Sequence, residues 1–346
     1  MIMFNSDYME GCAPSILEKI KEINMEQNVG YEEDDYCKKA ADSIKAACGK
    51  DDLDVHFLVG GTQTNFTVIA SALRPYQGVF ASDQGHINVH ETGAIEATGH
   101  KVITLPNKNG KISAEQINEY MENYLADASK EHVVMPGMVY ISSPTELGTI
   151  YSRSEILNLR HVCDKYNLYL YLDGARLSYG LASRENDVDM KFLADILDIF
   201  YIGGTKVGAL FGEAVVINNP ELKTNFRYMM KQKGGLLAKG FLLGVEFMEL
   251  FKDDLYFKLG EHAITMANEL EMGIEKLGFK FLEKPVTNQL FVIMPNDILN
   301  KLKDNYGYEV WGRIDDKNTA IRLCTSWATK KENIDRFLLD LKGDIS

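Results

Sequence analysis

From about residue 50 to residue 245 the chain alternates short β-branched or aromatic runs with stretches whose apolar residues recur at intervals of three and four. That rhythm predicts a mostly parallel sheet covered by helices, an α/β domain. Seven runs carry it: Val55–Val59, Val79–Ser82, Lys101–Leu105, Met138–Ser142, Leu168–Leu172, Asp198–Ile202 and Glu213–Ile217. The helical spacing is clear in Phe66, Ile69, Ala70 and Leu73, and again in Ile156, Leu159, Val162, Cys163 and Tyr166.

After Pro220 the pattern changes. Long helical stretches are expected over Leu236–Phe251 and Leu255–Leu277, then strands over Phe279–Leu282, Gln289–Met294, Tyr308–Ile314 and Ala320–Trp327, and a closing helix over Lys331–Leu341. These changes predict an N-terminal segment, 1–25, a large domain, 26–250, and a smaller C-terminal α+β domain, 251–346. The first segment holds Pro14 and a periodic Ile16, Leu17, Ile20 and Ile23, and is expected to pack on the large domain or on a neighbouring subunit.

Composition narrows the partners. Against 37 Lys and Arg stand 50 Asp and Glu, a net charge of −13, which repels phosphate backbones and anionic lipid headgroups. Neither nucleic acid nor membrane is expected as a partner. The cysteines, Cys12, Cys37, Cys48, Cys163 and Cys324, are odd in number and include no Cys-x-x-Cys pair. A disulfide framework and a zinc ribbon are both unsupported, and a reducing cytoplasm is expected. The N-terminus has no signal-like apolar region, and no later apolar run reaches membrane-spanning length.

Ligands of open parallel sheets bind beyond the carboxyl ends of the strands, and several residues there are chemically unusual. Gly60-Gly61-Thr62-Gln63-Thr64-Asn65 follows the first strand and opens a helix, so free N–H groups can cradle a phosphate; a plain turn capped by Thr64 or Asn65 is the other reading. Asp173 ends the most hydrophobic strand, where a carboxylate needs donors or a cation, although a helix cap also accounts for it. Lys206, in Gly203-Gly204-Thr205-Lys206, lies just past an apolar strand, where burial makes an amine nucleophilic and able to form a Schiff base; a surface lysine on a loop is the other reading of this residue alone. His86 and His90 are four apart, about 6 Å along a helix axis; a zinc pair is disfavoured because no third ligand accompanies them. Arg322 sits on the polar side of its strand and suits a carboxylate bidentately, with a surface ion pair as the other reading. Together a phosphate cup, an acid for a pyridinium nitrogen, a Schiff-base lysine, an imidazole and a carboxylate-binding arginine are the parts that pyridoxal 5'-phosphate (PLP) requires.

These segments resemble the L-threonine aldolases, fold-type I PLP enzymes of the aromatic amino acid β-eliminating lyase/threonine aldolase superfamily. The likeness covers nearly the whole chain and is carried by Asn5-Ser6-Asp7-Tyr8, Val29-Gly30-Tyr31, Gly60-Gly61-Thr62-Gln63, Gly85-His86 with Glu91-Thr92-Gly93, Asp173-Gly174-Ala175-Arg176, Gly203-Gly204-Thr205-Lys206, Lys231-Gln232-Lys233-Gly234 and Ile321–Trp327. It implies the PLP-dependent transferase fold, with a seven-stranded mostly parallel sheet and a smaller C-terminal domain.

It also implies cleavage of L-threonine or L-allo-threonine to glycine and acetaldehyde in a homodimer or homotetramer. Lys206 then carries PLP, Asp173 faces the pyridine nitrogen, His86 stacks on the ring, and Gly61 and Thr62 hold the phosphate. Ser6, Arg176 and Arg322 surround the substrate carboxylate or a cofactor oxygen, and Tyr31 lies in an active-site-like segment expected to be shared across the dimer. Two segments depart from the family. Where many members have Asn-Thr-His, this chain reads Ser143-Pro144-Thr145-Glu146, and in place of a phosphate-binding arginine it offers Lys231, Lys233 and Lys239. His90 and Glu146 are therefore the candidates for the base that takes the β-hydroxyl proton, with an activated water as the third option and simple packing as the other reading of His90. The rival activities are β-elimination or transamination on the same cofactor, or a PLP-free phosphate-binding protein built on the Gly60 loop.

Overall fold

The computed structural model describes residues 1–345. Its strands, in chain order, are β1 (Ile2–Met3), β2 (Asp54–Leu58), β3 (Gln77–Ser82), β4 (Val102–Leu105), β5 (Met135–Ser142), β6 (Tyr169–Asp173), β7 (Ile199–Gly203), β8 (Glu213–Ile217), β9 (Lys280–Phe281), β10 (Gln289–Pro295), β11 (Tyr306–Gly307), β12 (Glu309–Arg313) and β13 (Asn318–Cys324). Seven form the central sheet in the order β2-β8-β7-β6-β5-β3-β4. Only β8 runs against its neighbours, and the remaining pairings are parallel. All seven expected strands are present.

Both faces of this sheet are covered, which explains runs with no polar alternation. Phe80, Val139, Ile141, Leu170, Leu172, Phe200 and Ile202 point into one apolar core. Their neighbours Val79, Met138, Tyr140, Tyr171, Ile199 and Tyr201 point into the other, beneath the helix Gly61–Ala72.

A four-stranded antiparallel sheet, β12-β13-β10-β9, builds the second unit. Leu290, Val292, Ile321 and Leu323 pack there against Leu270 and Ile274 of the helix Leu255–Lys276 and Phe337 of the C-terminal helix. Its last strand stops at Cys324, short of the expected Trp327, because Ser326 and Thr329 close a turn: Thr329 N–H donates to Ser326 O at 3.1 Å. The helix expected from Leu236 begins only at Phe241. Before it, Gly234 has a left-handed φ of 75° and Gly240 N–H donates to Leu237 O at 3.1 Å, which makes the segment a loop.

The N-terminal segment does more than pack on the large unit. Ile16, in the helix Pro14–Ile23, joins the large core, but β1 pairs in parallel with β11 and Phe4 enters the small core. The first residues thereby tie the two units together, a contact that their sequence did not announce.

Candidate active site

Two loops meet at the centre of the sheet. Asp173 ends β6 opposite Ser142, Gly203 ends β7, and Gly203 N–H donates to Gly174 O at 2.9 Å. A Cβ on Gly174 would lie 2.0 Å from Tyr201 O, and one on Gly203 2.3 Å from Ala175 O. Glycine at both positions is what lets the loops touch, and the touching loops bring Asp173, Arg176 and Lys206 to one mouth.

The Asp173 carboxylate, 3% exposed, is surrounded by donors. Tyr140 Oη donates to its Oδ2 at 2.7 Å, Asn65 Nδ2 to the same oxygen at 3.1 Å and Ala175 N–H to Oδ1 at 3.0 Å. Asn65 is itself oriented, accepting from Tyr171 Oη at 2.7 Å and donating to Glu91 Oε1 at 2.7 Å. Burial alone raises the Asp173 pKa, yet the His86 charge and the hydrogen bonds from Tyr201, Tyr140 and Ala175 outweigh it, and the carboxyl lies below its ordinary value. It stays ionised and can hold a proton on a neighbouring ring nitrogen.

Lys206 has its pKa lowered, first by burial and then by the Arg176 charge, against the opposing pull of Asp7, Asp173 and Glu213. Its Nζ lies 6.0 Å from the centre of the Tyr8 ring. Its loop is clasped by Glu213, 4% exposed, which accepts from Thr205 Oγ1 at 2.8 Å and Gly204 N–H at 3.1 Å. Burial pushes the Glu213 carboxyl up to about 8.

The helix Gly61–Ala72 is capped by Gly60 in an extended conformation, and no side chain accepts from its first N–H groups. Thr64 and Asn65 lie within the helix and are not its caps. The N–H groups of Gly61 and Thr62 thus stand at an open, partly positive helix end. Gln63 Nε2 donates to Lys233 O at 3.2 Å, so the glycine-rich loop after β8 reaches this end within the same chain. Tyr31 belongs to the same corner: its N–H donates to Leu237 O at 3.0 Å, and Lys231 Nζ lies 4.5 Å from the centre of its ring.

His86 opens a single helical turn, His86–Val89, and His90 is the residue that ends it. Their ring centres are 5.6 Å apart. Glu91, buried, holds His86 Nδ1 at 2.8 Å. Glu146 accepts from His86 N–H at 3.0 Å and from Ser142 Oγ at 2.8 and 3.0 Å, which ties both its oxygens behind His86. Burial raises its pKa.

The two arginines are gathered by the N-terminal segment. Arg176 donates through Nε and Nη2 to Asp7 at 2.6 and 3.0 Å, while Arg322 Nη2 donates to Asn5 O at 3.2 Å. Ser6 lies between the residues that hold them. Arg322 also donates to Gln289 Oε1 at 3.3 Å and pairs with Glu309.

The sequence assigned no role to Asp7, Glu91, Glu213, Glu309 or the three tyrosines, and offered Asn65 only as a helix cap. Of these, Asp7, Asn65 and Glu91 lie inside the motif segments. The donor set fits a phosphorylated pyridine aldehyde: an uncapped helix end for the dianion, an ionised acid for the ring nitrogen, and a lysine amine of lowered pKa for the aldehyde carbon. With the seven-stranded sheet, this set defines a PLP enzyme of the fold-type I class.

The chain belongs to the β-eliminating lyase family, whose model matches residues 4–297. It is 43% identical to a threonine aldolase of Leishmania major, with a TM-score of 0.97 over 100% of both chains. It is 27% identical to a low specificity L-threonine aldolase of a Pseudomonas species, over 99% of this chain and 98% of that one. An aspartate aminotransferase of Thermus thermophilus, 12% identical over 99% of this chain and 91% of that one, shares the fold with a TM-score of 0.72.

Proposed function

We propose that this enzyme cleaves the Cα–Cβ bond of L-threonine and L-allo-threonine, releasing glycine and acetaldehyde. The observation that carries this reading is the end-to-end similarity to a threonine aldolase at 43% identity. When bound, PLP supplies an electron sink for the pair released from that bond.

Lys206 anchors the cofactor, Asp173 keeps its ring nitrogen protonated, His86 covers the ring, and the N–H groups of Gly61 and Thr62 hold its phosphate. Arg322 and Ser6 receive the substrate carboxylate. Arg176, already gripped by Asp7, positions that segment and supplies positive charge beside Lys206. His90 takes the β-hydroxyl proton as the hydroxyl becomes the aldehyde carbonyl, and glycine regains a proton at Cα. Lys231 and Tyr31 form the wall beyond the phosphate.

We assign a reducing cytoplasm, on five cysteines that include no Cys-x-x-Cys pair, and a place in glycine metabolism, on the product of the proposed cleavage. Among the described residues no helix is long and apolar enough to cross a membrane. We assign a homodimer or homotetramer, in which the exposed Tyr31 corner faces a second copy. Incubation with L-threonine, assayed for acetaldehyde and glycine, tests the activity; ammonia with a keto acid, or transfer of the amino group, would instead favour β-elimination or transamination.

A further inference from the structure

Arg322 stands on β13 directly opposite Glu309 on β12. The arginine side chain is 13% exposed and the glutamate 46%. Neutral groups fix the guanidinium from other directions: Gln289 Oε1 at 3.3 Å, Asn5 O at 3.2 Å and the Trp311 ring, whose centre is 5.9 Å away. Its Nε is buried with no hydrogen-bond partner among the described residues. Glu309 is the anionic partner, and it alone of these contacts lies half in solvent, on the edge strand of its sheet. A bulge between Val310 and Gly312 further loosens that strand's pairing.

We infer that Glu309 is a resident, displaceable carboxylate: it neutralises Arg322 in the empty site and is evicted by the substrate carboxylate. This rests on Arg322 being the substrate's carboxylate partner. A carboxylate replaces a carboxylate, so charge is conserved in the exchange and Arg322 is never left bare. Orientation of Arg322 does not need Glu309, because Gln289, Asn5 and Trp311 already supply it. The cost falls on affinity, since every incoming amino acid must compete with a tethered anion. The half-exposed glutamate returns to water on leaving, which keeps that cost small. The exchange selects for substrates with a free α-carboxylate, because a ligand without one leaves Glu309 in place.

Calorimetric titration of glycine into the holoenzyme tests the idea, with ethanolamine as the ligand that lacks a carboxylate. Glu309→Gln is expected to tighten glycine roughly fivefold, the scale of a half-exposed ion pair, and to lower KM for threonine by a similar factor. Ethanolamine affinity should stay as it was. In an Arg322→Gln background, adding Glu309→Gln should bring no gain. Unchanged or weaker glycine binding in Glu309→Gln, or a gain that survives without Arg322, would overturn the inference while leaving Arg322 in the site. If the Arg322→Gln variant alone binds glycine like the parent, the assignment of Arg322 itself fails, and the eviction with it.

Discussion

Asp7 and Arg176 lie 169 residues apart in the chain and meet in a two-pronged ion pair, at 2.6 and 3.0 Å, with Asp7 wholly buried. Asn288 Nδ2 adds a third donor to Asp7 at 2.8 Å. One pair thus joins the N-terminal segment, the loop after β6 and the start of β10. Removing one member of such a pair strands a buried charge, so Asp7→Asn should cost about 3 kcal/mol or more at neutral pH. Burial raises the Asp7 pKa, but the Arg176 and Lys206 charges and the hydrogen bonds from Arg176 and Asn288 outweigh it, and the folded value falls below the ordinary 3.8. The pair's contribution is therefore complete above the unfolded value and lost as pH falls through the folded one. Urea midpoints of parent and Asp7→Asn should converge in strong acid; a gap independent of pH would refute the linkage.

Lys206 should be the residue that carries the cofactor. Borohydride reduction followed by peptide mapping should place the modification on Lys206, and Lys206→Ala should lose both the reducible adduct and turnover. A second lysine in the modified peptide's place would dissolve the whole site assignment, because the Lys206 adduct is what ties Asp173 and the Gly60 helix end to one cofactor.

Glu246 makes the fold lose stability as pH rises toward neutrality. Wholly buried in the helix Phe241–Phe251, it accepts from Leu210 N–H at 2.7 Å and Phe211 N–H at 3.3 Å. Burial outweighs those bonds and pushes its carboxyl up to about 7 from an ordinary 4.5. Between those values the folded state binds the extra proton, so stability falls as pH rises from 4.5 through 7, by about 3 kcal/mol. Glu246→Gln should flatten that slope in thermal or urea unfolding, and an unchanged slope would clear Glu246 of responsibility.

What could be read from sequence follows from how far apart the interacting residues lie. Asp173 and Lys206 are legible because one short window holds both an apolar strand and the polar residue ending it. Tyr140, Tyr171 and Tyr201 all line the core; only the alignment of β5, β6 and β7 shows that their hydroxyls converge on Asp173 and Asn65. Glu309 lies outside every singled-out motif, and its role follows from the β12–β13 register. The loop at 233–240 hid inside a helical apolar pattern because Leu236 and Leu237 are apolar and pack against the two cores of the large unit, while Gly234 turns the backbone.

The choice between His90 and Glu146 as base is open to a direct test. Glu146 has both oxygens committed to Ser142 Oγ and the His86 N–H, and burial raises its pKa. His90 is exposed, one turn on from His86, and close enough to Arg322 and Glu309 for their charges to act on it. Its pKa is lowered, by burial first and then by His86 and Arg322, with Glu309 opposing. The neutral, proton-accepting imidazole therefore persists below pH 6.5, where an ordinary histidine would be half protonated. His90→Asn should reduce kcat for threonine by roughly 10²-fold, the scale of a lost general base, and remove the acid limb of the kcat profile below pH 6.5. Cofactor absorbance and glycine binding should persist in that variant. Full turnover in His90→Asn beside a large loss in Glu146→Gln would move the proton to Glu146, with His86 as the residue that Glu146 must first release.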